Sequence, residues 1–139
     1  MPLVKHLFRA PKKRWPMEEL PEVRVADNSG FAGCAHARPD SPRQVLLVDS
    51  ETLEAMNLSP GIIRENITTS GLNVNGLEIG QKLRVGETHL EVSALCTPCD
   101  QLEKIRPGLR REIWGRRGML CRVIEGGMIR SGDLIEKLS

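Results

Sequence analysis

The sequence predicts a mainly β fold: one domain over residues 1–139, built as a closed or nearly closed β-barrel with two or three short helices. Three observations predict it. Thirteen Gly and nine Pro punctuate short apolar runs, a rhythm of short strands rather than long helices. Residues 82–94 alternate apolar and polar on both sides of Gly86-Glu87, the pattern of a hairpin with one buried face. An apolar fraction of 40% over 139 residues suffices for one core. About eight short strands would leave many open edges, which a barrel protects.

In chain order, Leu3 to Phe8 and Val23 to Ala26 are expected strands, with a loop from Pro11 to Pro21 between them. Gln44 to Val48 reads as a buried strand. Asp49 and Ser50 are helix N-caps, and Leu53, Ala55 and Met56 predict a short helix ending before Pro60-Gly61. Leu83 and Val85, then Thr88, Leu90, Val92 and Ala94, form the buried face of the hairpin. Its second strand runs straight into Cys96-Thr97-Pro98-Cys99. Leu102, Ile105, Leu109 and Ile113 recur at helical spacing, interrupted at Pro107-Gly108. Met119, Cys121 and Val123 predict a strand, Gly126-Gly127 a turn, and Leu134-Ile135 the last strand.

Composition excludes several classes. A net charge of +2 is too small for a nucleic-acid protein, and 3% aromatics with no Tyr gives no base-stacking platform. Lys5, Arg9, Lys12, Lys13 and Arg14 lack the apolar run of a signal peptide, and no stretch reaches the length of a membrane span. A cytoplasmic location is expected, where the four cysteines stay reduced.

Chemistry concentrates in two short motifs, Cys96-Thr97-Pro98-Cys99 and Gly33-Cys34-Ala35-His36. A helix is expected from Asp100, so Cys99 would sit at its N-terminus, where partial positive charge favours a thiolate. A thiolate is a nucleophile and can carry sulfur as a persulfide. Four readings stand. The cysteines can be small buried hydrophobes. Cys96 and Cys99 can form a Cys-x-x-Cys redox pair, although that motif wants a βαβ setting and a hairpin precedes Cys96. Cys34, His36, Cys96 and Cys99 can supply a tetrahedral zinc set. Or one reactive thiol serves a sulfur or metal-cofactor site. His36, His6 and His89 are each unexceptional alone, and Cys121 reads as core.

Further segments join these motifs: Gly30 to His36, Arg43-Gln44-Val45, Gly61 to Gly71, Leu77 to Gly80, Leu83 to Gly86, Leu90-Glu91-Val92, Pro98 to Leu102, and Gly132-Asp133. In order and spacing they resemble a MOSC domain of the stand-alone bacterial type, a module also found at the C-terminus of molybdenum-cofactor sulfurases. The resemblance covers nearly the whole chain. It implies a β-barrel core and a cysteine after Pro, here Cys99, that receives sulfur from a desulfurase or holds the molybdenum of a molybdopterin cofactor. Some members reduce N-hydroxylated compounds with electron-transfer partners. It also implies that His36 and Asn66 lie near the same cleft. No pyridoxal phosphate site is expected on this chain, so a separate cysteine desulfurase, or a molybdoenzyme or electron-transfer partner, would complete the system. Two departures stand out: family members usually have Asp where this chain has Cys34, and commonly Arg where it has Cys96.

A pterin cofactor carries phosphate, which Arg forks and free amides bind. Seven basic residues and one acid, Glu112, lie between Lys104 and Arg122. They form either a solvated face or an anion rim beside Cys99. Gly115-Arg116-Arg117-Gly118 is the sharper candidate, since its glycines would let amides approach a phosphate. Lys12, Lys13 and Arg14 with Trp15 form a weaker basic cluster. Asn66 can bind a pterin edge or satisfy a loop backbone.

Overall fold

The structure is a computed structural model that describes residues 1–138. Strands β1 (Leu3–Arg9), β2 (Glu18–Leu20), β3 (Glu22–Ala26), β4 (Gly30–Phe31) and β5 (Val45–Asp49) come first. Helix α1 (Ser50–Ala55) follows, then β6 (Ile67–Ser70), β7 (Lys82–Val85) and β8 (Thr88–Leu95). Helix α2 (Leu109–Glu112), β9 (Met119–Glu125), β10 (Gly127–Arg130) and β11 (Ile135–Leu138) complete the order. Eight strands form one sheet in the order β11-β7-β8-β9-β5-β6-β1-β2, and β10-β3-β4 form a second.

The expected hairpin is present. Strands β7 and β8 pair antiparallel from Lys82–Glu91 to Val85–Thr88, and Gly86 takes φ +55 in the turn. Its Leu83, Val85, Leu90 and Val92 are fully buried, as the alternation requires. Strand β5 is buried along its whole length because it serves two cores. Val45 and Leu47 face the main core with Leu7, Ile67, Leu90 and Val123. Leu46 and Val48 face a second core with Leu53, Ile63, Cys96, Leu102, Leu109 and Ile113. Successive strand side chains point to opposite faces, so a continuous apolar run is what a strand covered on both sides needs. Asp49 caps α1, accepting from the Thr52 amide at 3.1 Å.

Several expectations need correction. Eleven strands are present among the described residues, more than the eight or so expected. β2 lies inside the segment read as a loop, because Glu18-Glu19-Leu20 carries no apolar alternation. β6 pairs parallel to β5 and antiparallel to β1, yet its buried positions include Thr68 and Thr69, which hide the strand from an apolar count. β10 follows the Gly126-Gly127 turn at once. The helix expected after Cys99 is a five-residue 3-10 helix, Asp100–Lys104, followed separately by the single turn of α2. The main sheet is barrel-like rather than closed: β11 and β2 are its two edges, and the bridge Leu3–Leu134 brings the start of β1 toward β11. Among the described residues no helix is long and apolar enough to cross a membrane.

Leu90→Ala should cost about 2–5 kcal/mol, because a fully buried side chain leaves a cavity in the main core. Ile79→Ala, at a position 69% exposed, should stay within about 0.5 kcal/mol. Urea denaturation checks both.

Candidate functional site: two adjoining clefts

The second core carries the 3-10 helix 100–104, α2 and the segment around Ile63 against β5 and β9. Two clefts open beside it. One, of about 340 Å³, is mostly apolar and lined by Phe8, Pro16, Met17, Pro60, Ile62, Ile63, Cys99, Leu102 and Ile105. The other, of about 350 Å³, is lined by Lys13, Arg14, Arg38, Arg43, Arg64 and Arg117, with Ala35, His36, Gln44, Asn66, Cys96 and Gln101. Arg64, Gln101 and Arg117 belong to both. Among the described residues six cations and no carboxylate face the basic cleft. Lys104 joins Arg14, Arg64 and Gln101 in an outer extension.

Arg117 is the buried centre of this charge. It is 7% exposed, its Nη2 donates to the Ile63 carbonyl at 2.7 Å, and its Nη1 has no protein partner. A buried donor left unmet costs about 1–3 kcal/mol, more when charged. The following Gly118 has φ +110, and a Cβ there would collide with the Leu47 carbonyl oxygen. Glycine therefore lets the chain pass over β5 and turn Arg117 inward. Arg14 and Arg64 also sit at positive φ, +68 and +67, which a side chain with a Cβ adopts at a cost. Arg64 Nη1 is tied to the Trp15 carbonyl at 2.6 Å, and Lys12 Nζ lies 4.7 Å from the centre of the Trp15 ring.

The cysteines separate by environment. Cys99 is exposed at the apolar cleft and makes no side-chain capping bond to the 3-10 helix it precedes. The dipole argument for Cys99 loses its basis, since the α-helix it needed is replaced by a short 3-10 helix. Cys34 is buried and accepts from the Ala10 and His36 amides, both at 3.4 Å, and from Asn66 Nδ2 at 3.5 Å. Burial pushes its pKa up, but the His36 side chain, those two amides and the His36 charge together outweigh it and bring the thiol down to about 7. Cys96 is raised by burial, against the opposing charges of Arg117 and Arg43. Cys121, wholly buried in the core as expected, is pushed up to about 12.

Other candidates fall out as follows. Cys99 and His36 do not share one cleft as the resemblance implies: His36 lines the basic cleft and Cys99 the apolar one, and the two clefts meet at Arg64, Gln101 and Arg117. Asn66 lines the basic cleft, but its amide is committed: Oδ1 accepts from the Leu46 amide at 3.0 Å and Nδ2 donates to Phe8 O at 3.3 Å. The Arg-rich rim is corrected. Arg106 pairs with Glu112, Arg110 with Asp100, and Arg122 with Glu91. Arg116 is exposed, donates to the Glu112 carbonyl, and borders neither cleft. The amides flanking Arg117 are also taken, Arg116 N by Ile113 O and Gly118 N by Asn75 Oδ1.

The zinc set is corrected too. Among the described residues no three His, Cys, Asp or Glu side chains gather to hold a metal ion, so Cys34, His36, Cys96 and Cys99 do not form one coordination sphere. Cys34 turns inward toward Ala10 and Asn66, while Cys96 and Cys99 border different clefts. All four thiols are free, and β8 before Cys96 is antiparallel to both neighbours, which is not the setting of a βαβ redox pair. Sequence reasoning missed Arg38, Arg43, Arg64 and Gln101. Arg43, Arg64 and Gln101 fall inside the segments that carry the family resemblance, and that was the available signal; Arg38 lies outside them.

The family model for the MOSC domain matches residues 35–136, and the chain belongs to that family. Its fold is shared with several solved bacterial proteins at low sequence identity. YuaD from Bacillus subtilis superposes with a TM-score of 0.79 at 19% identity, covering 97% of this chain and 94% of that one. YiiM from Geobacillus stearothermophilus gives 0.83 at 18%, covering 100% and 76%. YiiM from Escherichia coli gives 0.73 at 19%, covering 97% and 70%. No curated protein sequence matches.

Because the Cys34 pKa is depressed in the fold, the unfolded chain binds more protons between about pH 7 and the ordinary thiol value of 9.0. Its contribution to stability is full above that unfolded value and is lost as pH falls through 7. Urea titrations at several pH values should show the wild type gaining stability over Cys34→Ala across this window. A constant difference would contradict the assignment. Alkylation mapping at neutral pH should label the exposed Cys99 first and Cys121 last.

Proposed function

We propose that the basic cleft holds a phosphate-bearing cofactor of the molybdopterin kind, with the Cys99 thiol beside it as metal ligand or sulfur carrier. The observation that carries this reading is the acid-free set of six cations lining the basic cleft, among them the buried Arg117 with its Nη1 unpartnered. That donor set suits phosphate oxygens, because guanidinium forks bind them in pairs. Arg117 would hold the innermost anion, Arg38, Arg43 and Arg64 its flanks, and Lys13 and Arg14 the outer charge. His36 adds a ring nitrogen at the wall. Asn66 acts behind the site, fixing Cys34 and the segments around Phe8 and Leu46. When bound, the cofactor would supply molybdenum redox chemistry or a terminal sulfur position.

Cys99 suits either role. Its thiol is exposed, so a partner protein can reach it. A cysteine desulfurase would load it with sulfur, and a molybdoenzyme or electron-transfer protein would draw on the loaded site. The carrier reading rests on this accessibility, the cofactor reading on the charge next to it.

Protein purified without reducing agent decides between them by intact mass, metal and pterin analysis. The cofactor reading expects molybdenum with a pterin, lost in Cys99→Ser and retained in Arg116→Ala. The carrier reading expects a reductant-sensitive gain of about 32 daltons, one sulfur, at Cys99. Stoichiometric zinc with neither signature would contradict both.

A further inference from the structure

The apolar cleft has hydrocarbon walls that the cofactor reading leaves unused, although it shares Arg64, Gln101 and Arg117 with the basic cleft. Its volume of about 340 Å³ falls at the small end of ligand pockets, which run from about 300 to 1,000 Å³. Phe8, Met17, Ile62, Ile63, Leu102 and Ile105 offer it hydrocarbon surface. Ile62 is 44% exposed there, an apolar side chain left facing solvent. The polar side chains of the lining are few: Arg64, Gln101 and Arg117, the three shared with the basic cleft, with Ser59 and the Cys99 thiol. Among the described residues no carboxylate lines this cleft either. Arg117 is more than nine-tenths buried, and its Nη1 is still without a partner.

We propose that the apolar cleft seats a small organic anion with a compact hydrocarbon body, its charged group on Arg117 and Arg64 and its body against Phe8, Met17 and Ile62. The occupant is set by complementarity. Hydrocarbon walls gain from burying an apolar body, at about 25 cal/mol per Å². The two guanidinium groups disfavour a purely apolar guest, which would cover Arg64 and Arg117 without pairing their charge. A free phosphate meets the charge but leaves the walls uncovered. Such a ligand would lie against Cys99 and next to the basic cleft, so calling it the substrate rests on the function proposed above, whereas its binding does not.

Amide chemical shifts of the isotope-labelled full chain test this with three probes: cyclohexanecarboxylate, cyclohexylmethanol and pyrophosphate. Cyclohexanecarboxylate should shift Gly61, Ile62, Ile63 and Leu102. The alcohol, with the same body and no charge, should bind at least about tenfold more weakly. Ile62→Glu places a carboxylate on an exposed wall position, so it should weaken the carboxylate at least about tenfold without unfolding the chain. Pyrophosphate should shift Ala35 and His36 equally in wild type and Ile62→Glu. Equal binding of the alcohol, carboxylate shifts confined to Ala35 and His36, or no response to the carboxylate would each overturn the proposal. So would shifts at residues 61–63 that grow with protein concentration alone, because a second copy of the chain would then fill the cleft. If pyrophosphate moves neither Ala35 nor His36 while the carboxylate moves residues 61–63, the cofactor reading fails and the organic-anion cleft stands.

Discussion

The structure turns on the way Asn66 is built into the sheet. Its main-chain N–H donates to the Leu46 carbonyl at 2.9 Å, and its carbonyl accepts from the Phe8 amide at 2.8 Å. Its side chain then repeats the pattern: Oδ1 accepts from Leu46 N and Nδ2 donates to Phe8 O. One residue thus joins the start of β5 to the end of β1, using its carboxamide as a second peptide group. It is 1% exposed, so these bonds form away from water, where a lost partner leaves a costly unmet group. Its second Nδ2 hydrogen reaches Cys34. Phe8, Leu46 and Asn66 all line the clefts, and so the fold and the site share one fastening.

From that fastening the charge distribution follows. The loop bearing Cys34 and His36 is pinned to β1 through Ala10, while the segment 61–65 runs over β5 and carries Arg64. Gly118 brings Arg117 down onto the carbonyl of Ile63 in that segment. Segments distant in sequence therefore deliver Lys13, Arg14, Arg38, Arg43, Arg64 and Arg117 to one place. Like charges lining one cleft repel one another, weakly where solvent screens them, and the buried Arg117 is costly unless paired. An anionic guest relieves that cost. This gives the proposed anion site its physical basis, whereas the pterin and molybdenum of the proposal rest on the family.

Much of the fold was legible because it obeys simple periodicities. The β7–β8 hairpin shows period-two alternation around a Gly turn, and β5 is a continuous apolar run bounded by a cap residue. β6 was hard to see because Thr68 and Thr69 are buried polar residues where an apolar pattern would show a strand; Thr68 donates to Glu65, whereas the Thr69 hydroxyl has no partner. The site was less legible. Cys99 and His36 were found by residue type and by resemblance, and both border the paired clefts. The dense run from Lys104 to Arg122 drew attention to Arg116, but three of its seven cations pair with Glu112, Asp100 and Glu91, and Arg116 borders neither cleft. Density along the chain did not mark the site, because the cleft depends on cations gathered from segments far apart. Cys34 was legible as a departure from the family pattern. That its sulfur accepts from two amides and a carboxamide is visible only in three dimensions.

The central claim is that the anion site lies around Arg117, not along the Arg116 face. Calorimetric titration with pyrophosphate at low ionic strength tests it most directly. Arg43→Ala and Arg117→Lys should each weaken binding about tenfold or more, Arg116→Ala should leave it unchanged, and added salt should weaken the wild type. Equal losses in all three variants, or a loss in Arg116→Ala alone, would contradict the account.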